Sequence, residues 1–342
     1  MQLQARILLV LGLAILSPAT PTASTKLPGL NGQQARQYPS TIIKEFNNPT
    51  WLENIAVRGN GQVLVASIST PALVQVDPKQ VVSPVTIAEI PDATSLLGIA
   101  ELDPDVFYVI GGNLSQVTAS RLVFPSKIWR LDLRPLRTTN KGTVSRPSKV
   151  SLVADLSNTT FLNTLTRISS NDNSALLISD SGAGQVLRLD VRTGISTVVI
   201  SDETTRSARP GVAGVTGIHT YCGRLYYANF AGQQFFQVPI SPQGKPIGPA
   251  EIITNGTLID DFTLSRDGKR AFAATNPQNS LIEIDIPGKK SRTVLQALNA
   301  TSAALGRTRY DYNSVYVVTG GGLDFPLNLP GVSGGRVIRL DL

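Results

Sequence analysis

The sequence predicts an all-β fold, a six-bladed β-propeller whose ring is closed by a strand from the N-terminal side. Three observations predict it. A run in which apolar and polar residues alternate, often ending in Asp, occurs six times: ALVQVD (72–77), KIWRLD (127–132), QVLRLD (185–190), QFFQVP (234–239), SLIEID (280–285) and RVIRLD (336–341). Each is preceded by a β-branched and aromatic run and, before that, by a shorter segment, and these shorter segments start roughly 40 to 66 residues apart. The last unit lacks a fourth strand, and STIIKEF (40–46) is a β-run that belongs to no other unit.

In order, the innermost segments are ENIAV from Glu53, LGIAE from Leu97, NTLTR from Asn163, TGIHT from Thr216, DFTLS from Asp261 and TSAAL from Thr301. The second runs are VLVAS from Val63, VFYVI from Val106, ALLIS from Ala175, RLYYA from Arg224, RAFAA from Arg270 and SVYVV from Ser314. Their near-continuous apolar character suits strands buried on both faces. Outer strands are expected at 85–90, 149–153, 196–200, 251–254 and 292–295. Pairing of 40–46 with the last unit removes the open edge of the ring.

Residues 1–23 read as a cleaved signal peptide: Arg6, the apolar run ILLVLGLAIL (7–16), then small residues and prolines. Residues 24–39 read as a disordered lead-in and 40–342 as one propeller domain. The expected location is therefore outside the cell or in the secretory lumen, with no membrane association after cleavage. Four sequons, at Asn113, Asn158, Asn255 and Asn299, predict surface glycosylation. The net charge of +7 is spread over a chain with only 16% charged residues and no Lys/Arg cluster interleaved with aromatics, which argues against nucleic-acid binding.

In a propeller, the loops entering each innermost strand and those joining the second strand to the third meet at one end of the central channel. The first set brings together Glu53, Leu97, Asn163, Thr216, Asp261 beside Asp260, and Thr301; the second adds Asp180, Asn229 and Asn276 among others. With one histidine, one cysteine and no nucleophile elbow, a Ser-His-Asp or Cys-His mechanism has little to work with. His219 reads as a satisfied core histidine and Cys222 as a buried small hydrophobe.

The units WLENIAV, LNTLTRI followed by LLISDSGAGQVLRLD, GVTGI followed by GRLYYAN, and IDDFTLSRDGKRAFAATN resemble the gluconolactonase-like (senescence marker protein) six-bladed propellers, most of all their secreted fungal branch. The resemblance covers roughly 40–342. In the family's lactonases it implies a divalent cation, usually Ca²⁺, held at positions matching Glu53, Asn163 and Asp261. Two departures stand out: GVTGI replaces the GVNGI common in that branch, and Asn54 rather than Ser-Pro follows Glu53. Some secreted fungal members instead carry out natural-product chemistry, a hetero-Diels-Alder cycloaddition of a polyketide-derived ortho-quinone methide (tropolone or phenol type) with a cyclic terpene polyene. That reading implies no cofactor, small-molecule substrates, catalytic positions Glu53, Asn163, Thr216 and Asp261, and substrate contacts from Trp51, Leu97, Asp180, Tyr227, Asn229, Asn276 and Phe325. Three functions stand: cycloaddition enzyme, Ca²⁺-dependent lactonase or esterase, and non-catalytic extracellular binding propeller.

Overall fold

The computed structural model describes residues 38–113, 123–321 and 333–342. The expected signal peptide, most of the lead-in and Phe325 lie outside them. Among the described residues the regular structure is entirely β, with twenty-six strands. The first, β1 (Ser40–Glu45), belongs to the last blade. Blade 1 is β2 (Leu52–Val57), β3 (Val63–Ser67), β4 (Ala72–Val76) and β5 (Val85–Glu89). Blade 2 is β6 (Ser95–Glu101), β7 (Val106–Gly112), β8 (Ser126–Asp132) and, after a small hairpin of β9 (Arg137–Thr138) and β10 (Val144–Arg146), β11 (Lys149–Asp155).

Blade 3 is β12 (Leu162–Arg167), β13 (Ala175–Asp180), β14 (Gln185–Asp190) and β15 (Ser196–Ile200). Blade 4 is β16 (Val215–Tyr221), β17 (Arg224–Asn229), β18 (Gln234–Pro239) and β19 (Glu251–Asn255). Blade 5 is β20 (Phe262–Leu264), β21 (Arg270–Thr275), β22 (Ser280–Asp285) and β23 (Lys290–Gln296). Blade 6 is β24 (Ala300–Leu305), β25 (Ser314–Thr319) and β26 (Arg336–Asp341), completed by β1. The closing pair is antiparallel, from Ser40 opposite Leu340 to Glu45 opposite Arg336, and Arg336 Nε donates to Glu45 Oε2 at 2.9 Å.

The burial of each strand follows its sequence. β3, β7, β13 and β25 are buried at every position, as continuous apolar runs require. β14, β18 and β26 share one burial pattern, half-buried at the first, fourth and sixth positions and buried at the others. The resulting cores lie between blades: Leu64, Ile87, Phe107 and Trp129 join blades 1 and 2, and Tyr227, Leu177, Val186 and Phe236 join blades 3 and 4. Each such large side chain contributes roughly 1.5–3 kcal/mol by leaving water.

The Asp that closes many third strands has a physical role. Asp77 accepts from the backbone N–H of Lys79, Val81 and Val82, Asp132 from that of Arg134, Asp190 from Arg192 and Thr193, and Asp285 from Gly288. Each carboxylate holds the turn into its outer strand.

Candidate functional site

Five innermost strands share an irregularity where they enter the ring. Pairing shifts register between Leu52 and Asn54, Leu96 and Ile99, Leu162 and Leu165, Val215 and Ile218, and Ala300 and Ser302. The residues left out of the ladder include Glu53, Asn163, Thr216 and Thr301. A bulge turns consecutive residues off the strict in-out alternation, so both Glu53 and Asn54 become available to the site. β20 has no such shift; it starts at Phe262, leaving Asp260 and Asp261 on the loop that enters it.

Asp261 is the hub. Its Oδ2 accepts from Asn54 Nδ2 of blade 1 at 2.9 Å and from Ser302 Oγ of blade 6 at 2.7 Å, while Oδ1 lies 3.2 Å from His219 Nε2 of blade 4. Residues from four blades thus meet at one carboxylate. Gly217 makes this possible: its N–H donates to Asp260 O at 2.8 Å, and a Cβ there would stand 2.6 Å from Asp261 Oδ1. Gly98 likewise admits the backbone of Asn163 and Thr164, the nearest atom being 2.7 Å from where a Cβ would sit.

Glu53, Asp260 and Asp261 are all buried, and no Lys or Arg bridges to them among the described residues. Glu53 takes the indole N–H of Trp51 on Oε2 at 2.7 Å. Its pKa is nevertheless pushed up to about 7, chiefly by burial and further by the charge of Asp261, against the opposing Trp51 bond. Asp260 is held well above the usual carboxylate range by burial and then by Glu53, although the Asn276 amide donates to it at 3.3 Å. A buried carboxyl kept neutral becomes a hydrogen-bond donor. Beside this cluster stands the imidazole of His219, with its side chain 30% exposed.

Several expected contact residues have another use. Asp180 is saturated: it accepts from the backbone N–H of Thr160, Phe161 and Ala183 and from Gln185 Nε2, tying two loops together. Asn229 donates to the carbonyls of Thr204 and Arg206 and accepts from Gly232 N–H. Tyr227 is stacked on Phe236 at 5.1 Å and its hydroxyl meets Thr204 Oγ1 at 2.6 Å, so it packs between blades. Trp51 and Leu97 are buried in one apolar cluster, where Trp51 reaches the site through its N–H alone. Thr216 donates its hydroxyl to Ile259 O at 3.0 Å, and Asn163 accepts from Thr164 Oγ1 at 2.9 Å while its Nδ2 is buried without a partner.

Two expectations are corrected. His219 is partly exposed rather than a core histidine: its Nε2 reaches Asp261 and its ring packs edge-on against Phe262 of blade 5 at 4.8 Å. Cys222 is exposed, since it occupies the turn between β16 and β17 with a left-handed φ of 46°. The contacts of Asn54, Ser302 and His219 with Asp261 escaped the sequence reading because a two-residue period is broken by the bulges.

The residues do not fit the divalent cation implied for the lactonases. Asp261 has its oxygens engaged by Asn54, Ser302 and His219, and the Thr216 hydroxyl is spent on a carbonyl. No group of three or more His, Cys, Asp or Glu side chains is placed to hold a metal among the described residues.

A closed ring of six four-stranded sheets with buried acids converging at one end of its axis defines a six-bladed β-propeller. A luciferin-regenerating enzyme superposes with a TM-score of 0.62 at 14% identity, over 89% of this chain and 95% of that one. The calcium-binding protein regucalcin of Agrobacterium tumefaciens gives 0.57 at 14% identity, over 89% and 93%. In sequence, the chain is similar to a protein of Sarocladium schorii with the provisional name hetero-Diels-Alderase asR5, 28% identical over 320 residues (82% of this chain, 77% of that protein). A protein of Phoma sp with the provisional name hetero-Diels-Alderase is 26% identical over 334 residues (87% and 91%). No family model matches the chain.

Proposed function

We propose that the channel end is the active site of a secreted, glycosylated enzyme of natural-product biosynthesis, one that templates a hetero-Diels-Alder cycloaddition. The diene is an ortho-quinone methide of tropolone or phenol type, derived from a polyketide, and the dienophile is a cyclic terpene polyene. The names of the two sequence relatives support the reaction class. The observation that carries the reading for this chain is the buried carboxyl cluster, with Glu53 titrating at about 7 and Asp260 well above its usual range.

The chemistry needs little else. The exocyclic methylene carbon of the quinone methide bonds to one alkene carbon and its oxygen to the other, with no leaving group and no external redox partner. As the ring becomes aromatic, charge gathers on that oxygen, where a neutral carboxyl donates a hydrogen bond that strengthens in the transition state. Holding both partners in one orientation supplies up to about 7–11 kcal/mol of the barrier reduction. Asp261 orients His219 and anchors blades 1, 4, 5 and 6 around this donor, and no metal takes part.

The alternative, a Ca²⁺-dependent lactonase, gains nothing from Asn163, whose oxygen is engaged by Thr164 Oγ1 and whose unspent Nδ2 is a donor rather than a ligand. One experiment separates them. The purified protein is mixed with an ortho-quinone methide precursor and humulene, with and without chelator, and adducts are resolved by chiral chromatography. Faster formation of one enantiomer, indifferent to chelator and lost in Asp261→Ala, is expected. Racemic adduct at the uncatalysed rate refutes the proposal, and chelator-sensitive hydrolysis of a lactone in a parallel incubation replaces it with the lactonase.

A further inference from the structure

At the end of the ring opposite the carboxyl cluster, a cleft of about 430 Å³ opens between blades 1 and 2. Its walls come from the turns joining first to second strands and third to fourth strands, together with the β9–β10 hairpin. Arg58, Gln75, Asp77 and Asp105 line it on one side, and Arg134 and Arg137 on the other. The proposed cycloaddition uses none of them.

The hydrogen bonds in this cleft leave an imbalance. Asp105 accepts Arg58 Nε at 3.0 Å and Nη2 at 2.9 Å, and Arg58 Nη1 donates to Gln75 Oε1 at 2.7 Å. Asp77 is filled by Gln62 Nε2 and by three backbone N–H groups. Arg134 spends Nε and Nη2 on Asp132. Both lining carboxylates are therefore already paired with donors of the chain.

Not all of the lining donors are paired in this way. Gln75, with its carbonyl taken, keeps an NH₂ group that has no acceptor among the described residues. Arg137 donates only through Nη1, to the carbonyls of Arg134 and Leu136, and meets no carboxylate among the described residues. Arg58 is paired with Asp105 and Arg134 with Asp132, so Arg137 is the one lining cation without a carboxylate partner among the described residues. The cleft's volume lies within the range of about 300–1,000 Å³ common for small-molecule sites. Moreover, all four sequons fall at the opposite end: Asn113 follows β7, and Asn158, Asn255 and Asn299 lie where outer strands lead to the next blade.

We propose that this cleft is a second ligand site, taking a small oxygen-rich anion such as a hydroxycarboxylate or a sugar phosphate. The fork of Arg137 meets the anionic group and the Gln75 amide donates to a hydroxyl or second oxygen.

Calorimetric titration of the full chain with citrate, glucose 6-phosphate and glucose tests this, in wild type, Arg137→Ala and Asp261→Asn. The expected result is binding of at least one anion with Kd below ~1 mM, with glucose about tenfold weaker or more. Arg137→Ala, an exposed substitution, weakens the anion about tenfold and leaves glucose unchanged. Asp261→Asn, at the other end, leaves anion binding unchanged. Whichever anion binds more tightly identifies the group as carboxylate or phosphate. Absence of heat with both anions, glucose binding as tight as theirs, or anion binding that survives Arg137→Ala or is lost in Asp261→Asn overturns the proposal.

Discussion

Replacing Glu53 by Gln should stabilise this protein, and only at high pH. The carboxyl ionises near the ordinary 4.5 in the unfolded chain and at about 7 in the folded one. Between those values the folded chain holds a proton that the unfolded chain has lost, so stability falls as pH rises through the window. Above it the full penalty of a buried charge beside Asp260 and Asp261 is present, about 3 kcal/mol for that displacement. Gln is the same size, still accepts the Trp51 N–H through its carbonyl, and carries no charge. Thermal unfolding of both proteins from pH 4 to 9 should therefore show equal melting temperatures at pH 4. At pH 8 the variant should melt several degrees higher, at roughly 2 °C per kcal/mol for a chain of this size. A difference that stays flat across pH, or a variant less stable at pH 8, would refute the reasoning. Cycloaddition by the variant should fall, because an acid proton has been exchanged for a weaker amide donor.

Gly217→Ala places a methyl group 2.6 Å from Asp261 Oδ1, and should cost about 1–3 kcal/mol in chemical denaturation and lower activity; unchanged stability would contradict the close approach. Removing residues through Glu45 strips β1 from β26 and takes Tyr38 from Arg292 and Glu283, so the truncated chain should elute as aggregate or melt far lower. A monomer with the wild-type melting temperature would show that the ring does not need its closing strand. In a glycosylating host, peptide mass mapping should find sugar on Asn158 and Asn255, which are exposed, but little on Asn299, whose Nδ2 donates to Gly321 O at 2.7 Å. High occupancy at Asn299 would count against that distinction.

What was legible in the chain was whatever repeats with a fixed physical reason. The run ending in Asp betrayed the third strands because Asp77, Asp132, Asp190 and Asp285 each tie down the following turn. The orphan run at 40–46 betrayed the closure because a blade short of one strand leaves an unpaired edge. The site was half legible. Glu53 and Asp261 stand where a propeller gathers its loops, but Asn54, Ser302 and His219 reach Asp261 only because bulges break the alternation that a sequence reader relies on. Asp180 and Asn229 misled for the opposite reason: polar residues at a channel mouth look like contacts, yet these are consumed by backbone groups. The β9–β10 hairpin, in the polar stretch 137–146, has no apolar alternation to announce it.

The pairing of β1 with β26 also sets the order in which this molecule comes into being. Five blades are contiguous in sequence, but the sixth needs residues nearly the whole chain apart, Ser40 and Leu340. Until synthesis ends, the growing protein is an open arc with an unsatisfied strand at one tip and an incomplete sheet at the other, the state in which such folds associate wrongly. The finished ring has the reverse property: no blade can peel from an end until the seam between the first and last strands parts.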